Sequence, residues 1–211
     1  MMKWDSDLDG RQVFTTPFPE TDVFERLSSK DAPIMDLGCG YGRVLSEISG
    51  MGYTNLSGVD ISPQLVHEAR KSCPNADVSI QDFSQLDTAK FNQKYELILL
   101  MGVIEYLLSD EHQEKFFKRV SELLSENGTV FLETFIFDWE NLWKNYIQGF
   151  MRTCHLGRFK NKKGFECHHQ SEMTLRSILQ TQFDIISFTR KSLITWSGKK
   201  CNGLCALLGK V

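Results

Sequence analysis

The chain carries 211 residues, 41% hydrophobic and 24% charged, a balance that excludes a disordered chain and suits one domain able to bury about 70% of its unfolded-chain surface. A formal net charge of −3 gives no overall attraction to nucleic acid. No stretch reaches the ~18 consecutive apolar residues of a membrane span, and the opening M-M-K-W-D-S-D-L-D-G lacks the apolar heart of a secretion signal, so a cytoplasmic protein with no membrane partner is expected.

From Ile34 onward, strand and helix signals alternate. Ile34–Leu37 reads as a buried strand feeding a helix from about Gly42 to Ser49, closed by Gly50 and Gly52. Asn55–Asp60 is a second strand. Ser62 then stands where a side-chain oxygen can cap a helix, and Pro63 where the first helical residue needs no N–H. A helix is therefore expected through Leu65 and Ala69 to Cys73, with Pro74 as a stop. Val78–Ile80 makes a short third strand. The unbroken apolar run Tyr95–Met101 is a fourth, of the kind buried on both faces. Ser109 caps an amphipathic helix through Phe116, Phe117, Val120 and Leu124, ended by Glu126-Asn127-Gly128, and Thr129–Thr134 is a fifth strand. Phe183–Phe188 and Leu204–Leu208 are two further strand candidates joined by a loop. This order implies right-handed crossovers and an α/β fold: a doubly wound, mostly parallel sheet with helices on both faces.

The segment Phe135–Gln170 breaks the alternation and is rich in aromatics and histidines, among them Trp143, Phe159, His168 and His169. Excursions of this length serve as lids or binding loops; the same aromatics can equally complete the core around an extra helix. Six cysteines, Cys39, Cys73, Cys154, Cys167, Cys201 and Cys205, are expected as reduced thiols in a chain long enough to need no staples. The step from Cys201 to Cys205 is poor metal-ligand spacing, so no metal site is expected.

The most informative stretch is I-M-D-L-G-C-G-Y-G, Ile34 to Gly42. A strand carrying Asp36 runs into a turn where Gly38, Gly40 and Gly42 leave no side chain in the way of a ligand. A dinucleotide fingerprint is the rival reading, but its third glycine would fall at position 43, where this chain has Arg43. Asp36, two residues before the first glycine, suits a cationic ligand and would repel a pyrophosphate.

The pattern resembles the first motif of class I S-adenosylmethionine-dependent methyltransferases, and three further matches follow in order. In G-V-D-I-S, Asp60 ends the second strand 22 residues after Gly38. Q-D-F, Gln81 to Phe83, follows the third strand, and L-L-M-G-V-I-E-Y-L, Leu99 to Leu107, closes the fourth. The resemblance implies a Rossmann-like sheet with a C-terminal antiparallel hairpin, formed by a single domain with an N-terminal cap over residues 1–30 and a substrate-side insertion over 135–170. It implies S-adenosylmethionine as cofactor, leaving as S-adenosylhomocysteine. Asp36, Gly38, Cys39, Gly40, Asp60, Ile61, Asp82, Phe83 and Met101 would hold it. Asp60 would take the ribose hydroxyls, Asp82 the adenine amino group, and the oxygens near Met101 and Gly102 the ammonium end. Trp4 and Phe14 of the cap would fold over the cofactor or simply pack on the sheet.

The implied reaction is in-line displacement at the sulfonium methyl, driven largely by alignment of donor and acceptor. Where the acceptor must lose a proton, the candidate bases are Glu133, His168 and Glu105, with His155 and His169 behind them. Adjacent extended histidines alternate sides, so at most one of His168 and His169 turns inward. Many family members have Glu-His where this chain has Glu105-Tyr106. No Asn/Asp-Pro-Pro-aromatic tetrapeptide, Pro-Cys pair or magnesium-site spacing is present, leaving a small-molecule acceptor as the expectation. Two alternatives stay open: a macromolecular acceptor, RNA or protein, docked by the four cations of Arg158 to Lys163, and a non-catalytic cofactor-binding module.

Overall fold

The computed structural model describes residues 21–162, 164–195 and 198–211. Trp4, Phe14, Phe18 and Lys163 lie outside the described residues.

After a short 3-10 helix, Thr21–Arg26, the chain alternates as β1 (Ile34–Leu37), α1 (Arg43–Gly50), β2 (Leu56–Asp60), α2 (Pro63–Ser72), β3 (Asp77–Ile80), β4 (Tyr95–Met101), α3 (Asp110–Leu123) and β5 (Leu124–Phe135). There follow α4 (Trp139–Thr153), β6 (Arg158–Lys160), β7 (Glu166–His168), α5 (Glu172–Leu179), β8 (Phe183–Ile194) and β9 (Lys200–Lys210). Seven strands form one sheet in the order β3-β2-β1-β4-β5-β9-β8, and β6 pairs with β7 apart from it. β1 pairs in parallel with β2 and β4, and β4 with β5; β9 runs antiparallel to both β5 and β8.

The central strands are buried on both faces, as their unbroken apolar sequences require. Leu97 and Leu99 of β4 pack with Leu45, Ile48 and Val66 of α1 and α2. Ile98 and Leu100, pointing the other way, pack with Phe116, Phe117 and Val120 of α3 and Leu175 and Ile178 of α5. A third cluster, around Leu142, Tyr146, Phe159, Cys167 and Cys201, joins α4 and the β6–β7 hairpin to the start of β9.

Local chemistry explains the helix starts. The Ser62 and Ser109 side chains accept the backbone N–H of Leu65 and His112, each at 3.2 Å, and Pro63 opens α2. Three expectations need correcting. Glu126-Asn127-Gly128 does not separate helix from strand: β5 starts at Leu124, directly after α3, and its pairing with β4 jumps from Tyr95↔Leu124 to Leu97↔Thr129. The intervening residues bulge outward, and Gly128 fits because a Cβ there would sit 2.7 Å from the Tyr95 carbonyl oxygen. The C-terminal strands are about twice the expected length, Phe183–Ile194 and Lys200–Lys210. Finally, α5 was not anticipated, although Ser171 caps it and Leu175, Ile178 and Leu179 line its buried face at helical spacing.

Candidate active site

The chain winds outward from β1 through β2 to β3, then returns to β4 on the other side of β1. The crevice beyond the carboxyl ends of β1 and β4 is thus the switch point at which doubly wound sheets bind ligands. The glycine turn sits there. Gly38, Gly40 and Gly42 all have positive φ, at 85°, 54° and 84°. Their roles differ, which corrects the expectation that all three clear space for a ligand. A Cβ on Gly38 would lie 2.5 Å from Val103 Cγ2, and one on Gly42 2.9 Å from the Ala69 Cα of α2. Those two glycines serve close packing. A Cβ on Gly40 would meet nothing within 4 Å: this is the position that opens the turn.

Two buried carboxylates flank the turn. Asp60, at the end of β2, accepts the Gly40 N–H at 2.9 Å through Oδ2 and the Ser62 N–H at 2.9 Å through Oδ1, tying the turn to the start of α2. Burial raises its pKa, against the lowering effect of the N–H groups of Ser62, Gly40 and Ile61. Asp36 is 2% exposed. Burial first, then the charge of Asp60, push its pKa to about 7, offset in part by Arg43. Two carboxylates held against desolvation form a place for positive charge. Cys39, buried beneath the turn, has its thiol pushed well up by burial and by Asp36 and Asp60, so it stays protonated. Ile61 follows Asp60 at the bend into α2, half-buried. Asp82 is exposed and Phe83 half-buried after β3, and the Phe83 ring meets Phe116 edge-on at 6.0 Å. Met101 ends β4, half-buried, beside Glu133 in the β4–β5 register.

The chain beyond β4 joins this crevice to a second space. Gly102 N–H donates to the Glu133 carbonyl at 2.9 Å, Val103 packs on Gly38, and the turn Ile104–Tyr106 brings Glu105 inward. Glu105 is 4% exposed and accepts the Thr134 hydroxyl at 3.2 Å. Burial raises its pKa to about 7; its own N–H and the Thr134 hydroxyl lower it, and Glu133 raises it. Glu105 lines a cavity of about 530 Å³ together with Tyr106, Phe135, Trp143, Phe159 and His169.

Of the catalytic candidates, Glu105 and His169 line this cavity. Glu133 is buried in β5, where its Oε2 accepts the Cys205 thiol at 3.5 Å. His168 is half-buried at the end of β7. Its Nδ1 is buried without a hydrogen-bond partner among the described residues, and burial holds its pKa down. His169 is the residue that turns inward, as alternation along an extended segment requires. Its ring stacks on Phe135 (5.7 Å between centroids, 13°) and meets Phe159 edge-on at 4.8 Å. Burial, and then His168, lower its pKa to about 3, so the ring is neutral. The Tyr146 oxygen accepts the Asp138 N–H at 3.0 Å and lies 3.0 Å from His169 Nδ1, within reach to donate its own hydrogen there. A Tyr146 hydroxyl donating to Nδ1 would leave the ring proton on Nε2, making His169 a donor and not a base. Sequence reasoning passed over Asp138, which is fully buried and accepts the Asn202 N–H at 2.7 Å. A lone Asp after an aromatic run gave no signal of that role.

The basic run lies in β6 and the turn after it. There Asn161 accepts the Phe165 N–H at 3.0 Å through its side chain, and Arg152 of α4 pairs with Glu166 of β7 at 2.5 Å. Among the described residues, no three His, Cys, Asp or Glu side chains converge as a metal cluster, and no helix is long and apolar enough to cross a membrane.

A seven-stranded sheet with one reversed strand next to its edge, a glycine turn at the switch point and acids at the ends of β1 and β2 define a Rossmann-like methyltransferase fold. Residues 11–187 match the family described as methyltransferase domain, and the chain belongs to that family. It superposes on a SAM-dependent methyltransferase from Methanosarcina mazei with a TM-score of 0.81, at 21% identity, covering 92% of this chain and 99% of that one. It is 22% identical over 130 residues to human EEF1A lysine methyltransferase 2 (57% of this chain, 54% of the relative). It is 27% identical over 108 residues to a ubiquinone biosynthesis O-methyltransferase of Actinobacillus pleuropneumoniae (48% and 44%). The chain thus spans about half the length of the curated relatives it matches.

Proposed function

We propose that the protein transfers a methyl group from S-adenosylmethionine to a small-molecule acceptor held in the cavity beside Glu105. The observation that carries this reading is the opening at Gly40, where a Cβ would meet no atom within 4 Å, between the buried acids Asp36 and Asp60. The residues present fit the cofactor: a backbone free to be approached, and carboxylates in want of a cation. The glycine turn with Cys39, Asp60 and Ile61 would hold the ribose end, Asp82 and Phe83 the adenine, and Asp36 with the Met101 region the ammonium and sulfonium. When bound, S-adenosylmethionine supplies a methyl group activated by its sulfonium, with a neutral thioether as leaving group.

The protein's own task is positioning. Glu105 stands two residues from Val103, which packs on the glycine turn, and this short link supports an acceptor held in reach of the cofactor crevice. With its pKa near 7, Glu105 can take a proton from an acceptor hydroxyl or ammonium near neutral pH. His169 can orient the acceptor by donation from Nε2. Glu133 and His168 would act from behind the cavity wall. A small acceptor is favoured over a macromolecule because the basic run is folded into β6 and its turn, with Lys162 lining the cavity.

The test is calorimetric titration with S-adenosylmethionine and S-adenosylhomocysteine, with NAD as control and Asp60→Ala alongside. Micromolar binding of the adenosyl ligands, about −8 kcal/mol, is expected, weakened at least tenfold by Asp60→Ala, since charge-assisted hydrogen bonds contribute ~1.5–3 kcal/mol each. Failure to bind either ligand, or preference for NAD, would overturn the assignment.

A further inference from the structure

The cavity that holds Glu105 is polarised from floor to rim. Its inner part is lined by buried groups: Glu105, His169, Cys167 and the rings of Phe159 and, half-buried, Tyr106 and Phe135. These rings give it flat apolar walls. Phe165 meets Tyr106 edge-on at 6.2 Å, and His169 stacks on Phe135, so the walls are braced from behind. The outer lining comes from elsewhere in the chain: exposed Lys144 of α4, Lys162 of the β6–β7 turn and Lys199 of the β8–β9 turn. Glu140 is the acid among these outer residues, so three lysines face one carboxylate. The ammonium of Lys144 lies 5.4 Å from the centroid of the Trp143 ring, which continues the aromatic wall to the mouth. Cations drawn from three separate elements line the exposed side of the cavity, while its buried side presents an acid.

From this arrangement we infer that the acceptor is a flat aromatic or conjugated molecule with a carboxylate or phosphate at one end and its methyl-accepting hydroxyl or amine at the other. The inference rests on the methyltransferase reading and specifies its substrate class. An anionic group is repelled by Glu105 and drawn to the rim, which orders the molecule with its opposite end against Glu105 and the glycine turn. The aromatic walls accept a planar body by stacking and edge contacts. A volume of about 530 Å³ accommodates a body of two fused rings and falls in the range of small-molecule sites.

The experiment uses the full chain saturated with S-adenosylhomocysteine, whose binding is measured first on the same sample. Three probes share one frame: a hydroxynaphthoate with hydroxyl and carboxylate at opposite ends, its carboxamide, and its aminomethyl counterpart. The carboxylate is expected to bind about tenfold more tightly than the amide, and the cationic probe most weakly. Raised salt should compress the difference, since the rim is exposed. Lys144→Gln with Lys162→Gln should reduce the carboxylate preference to threefold or less without altering the melting temperature. Phe159→Leu should weaken the carboxylate and amide equally. Carboxylates longer or shorter than naphthalene, and the matching aryl phosphate, then identify which anion and length fit. Equal binding of carboxylate and amide, preference for the cationic probe, or no naphthalene binding by a sample that binds S-adenosylhomocysteine would overturn the inference. Absence of S-adenosylhomocysteine binding would instead overturn the methyltransferase reading beneath it.

Discussion

Replacing Asp36 by asparagine removes a buried negative charge while keeping the shape of the side chain, and it should stabilise the apoprotein while weakening cofactor binding. The Asp36 pKa rises from 3.8 to about 7 in the folded state. At 1.36 kcal/mol per pKa unit, ionised Asp36 costs the folded state about 4 kcal/mol relative to the unfolded chain. The sign follows from proton binding. Between pH 4 and 7 the folded state holds a proton that the unfolded state has released, so stability is lost as pH rises through that window. The full penalty applies above pH 7. Asparagine does not titrate, though its amide is itself costly to bury, so a net gain of about 2 kcal/mol at pH 8 is expected. For a chain of this size that raises the melting temperature by about 4–8 °C. Glu105 also titrates near pH 7, so the quantity to measure is the difference between wild type and Asp36→Asn in urea denaturation at pH 5 and pH 8. Cofactor binding should move the other way. About a tenth of Asp36 is ionised at pH 6 in the apoprotein, so wild-type affinity should fall roughly tenfold from pH 8 to pH 6. Binding at pH 6 should release a proton, seen as a buffer-dependent calorimetric heat. In the variant, affinity should be at least tenfold weaker at pH 8 and nearly flat with pH. A variant no more stable than wild type at pH 8, or one that binds S-adenosylmethionine as tightly, would refute the reasoning.

Four further outcomes follow from the same geometry. Gly42→Ala combines a φ of 84° with a Cβ 2.9 Å from the Ala69 backbone and should lose about 3 kcal/mol in urea denaturation. Gly40→Ala, with open space around its Cβ, should lose only about 1 kcal/mol of stability yet weaken adenosyl ligands more than tenfold; similar stability losses at both positions would contradict the assigned roles. His169, with its pKa lowered to about 3, should stay neutral in NMR titration down to about pH 4, and its contribution to stability should be lost as pH falls from about 6.5 toward 3. Once an acceptor is known, Glu105→Gln should lower kcat by about 10²–10⁴ and abolish a pH-rate limb near 7, provided that acceptor loses a proton during transfer.

What could be read from the sequence and what could not divide along one physical line. β1, β2, β4 and the caps of α2 and α3 depend on neighbours within a few residues: an apolar run, a Ser before a Pro, a Ser ahead of an amphipathic stretch. Their bounds were legible to within a residue or two. So was the placement of Asp36, Gly40 and Asp60 at strand ends, because a motif that closes a strand inherits the sheet's geometry. Reading all three glycines as ligand clearance failed because a Cβ's neighbours come from Val103 and Ala69, dozens of residues away. The same limit hid the cavity beside Glu105. Its lining joins Glu105 after β4, Phe135 at the end of β5, Phe159 and His169 of the hairpin region, and Lys199 beside β9. Only the return of β9 alongside β5, with Asp138 holding the Asn202 N–H, brings that last stretch to the others. Choosing His168 over His169 turned on which side of a short strand faced inward, a parity that β6 pairing decides and composition does not. The glycine turn and its acids are thus set mainly by local turns, whereas the cavity beside Glu105 is set by long-range packing of residues 135–170. On the proposed reading, that division lets one fold keep its donor site while its acceptor changes: substitutions in α4, the β6–β7 hairpin and the β8–β9 turn would reshape the cavity without moving Gly40, Asp36 or Asp60.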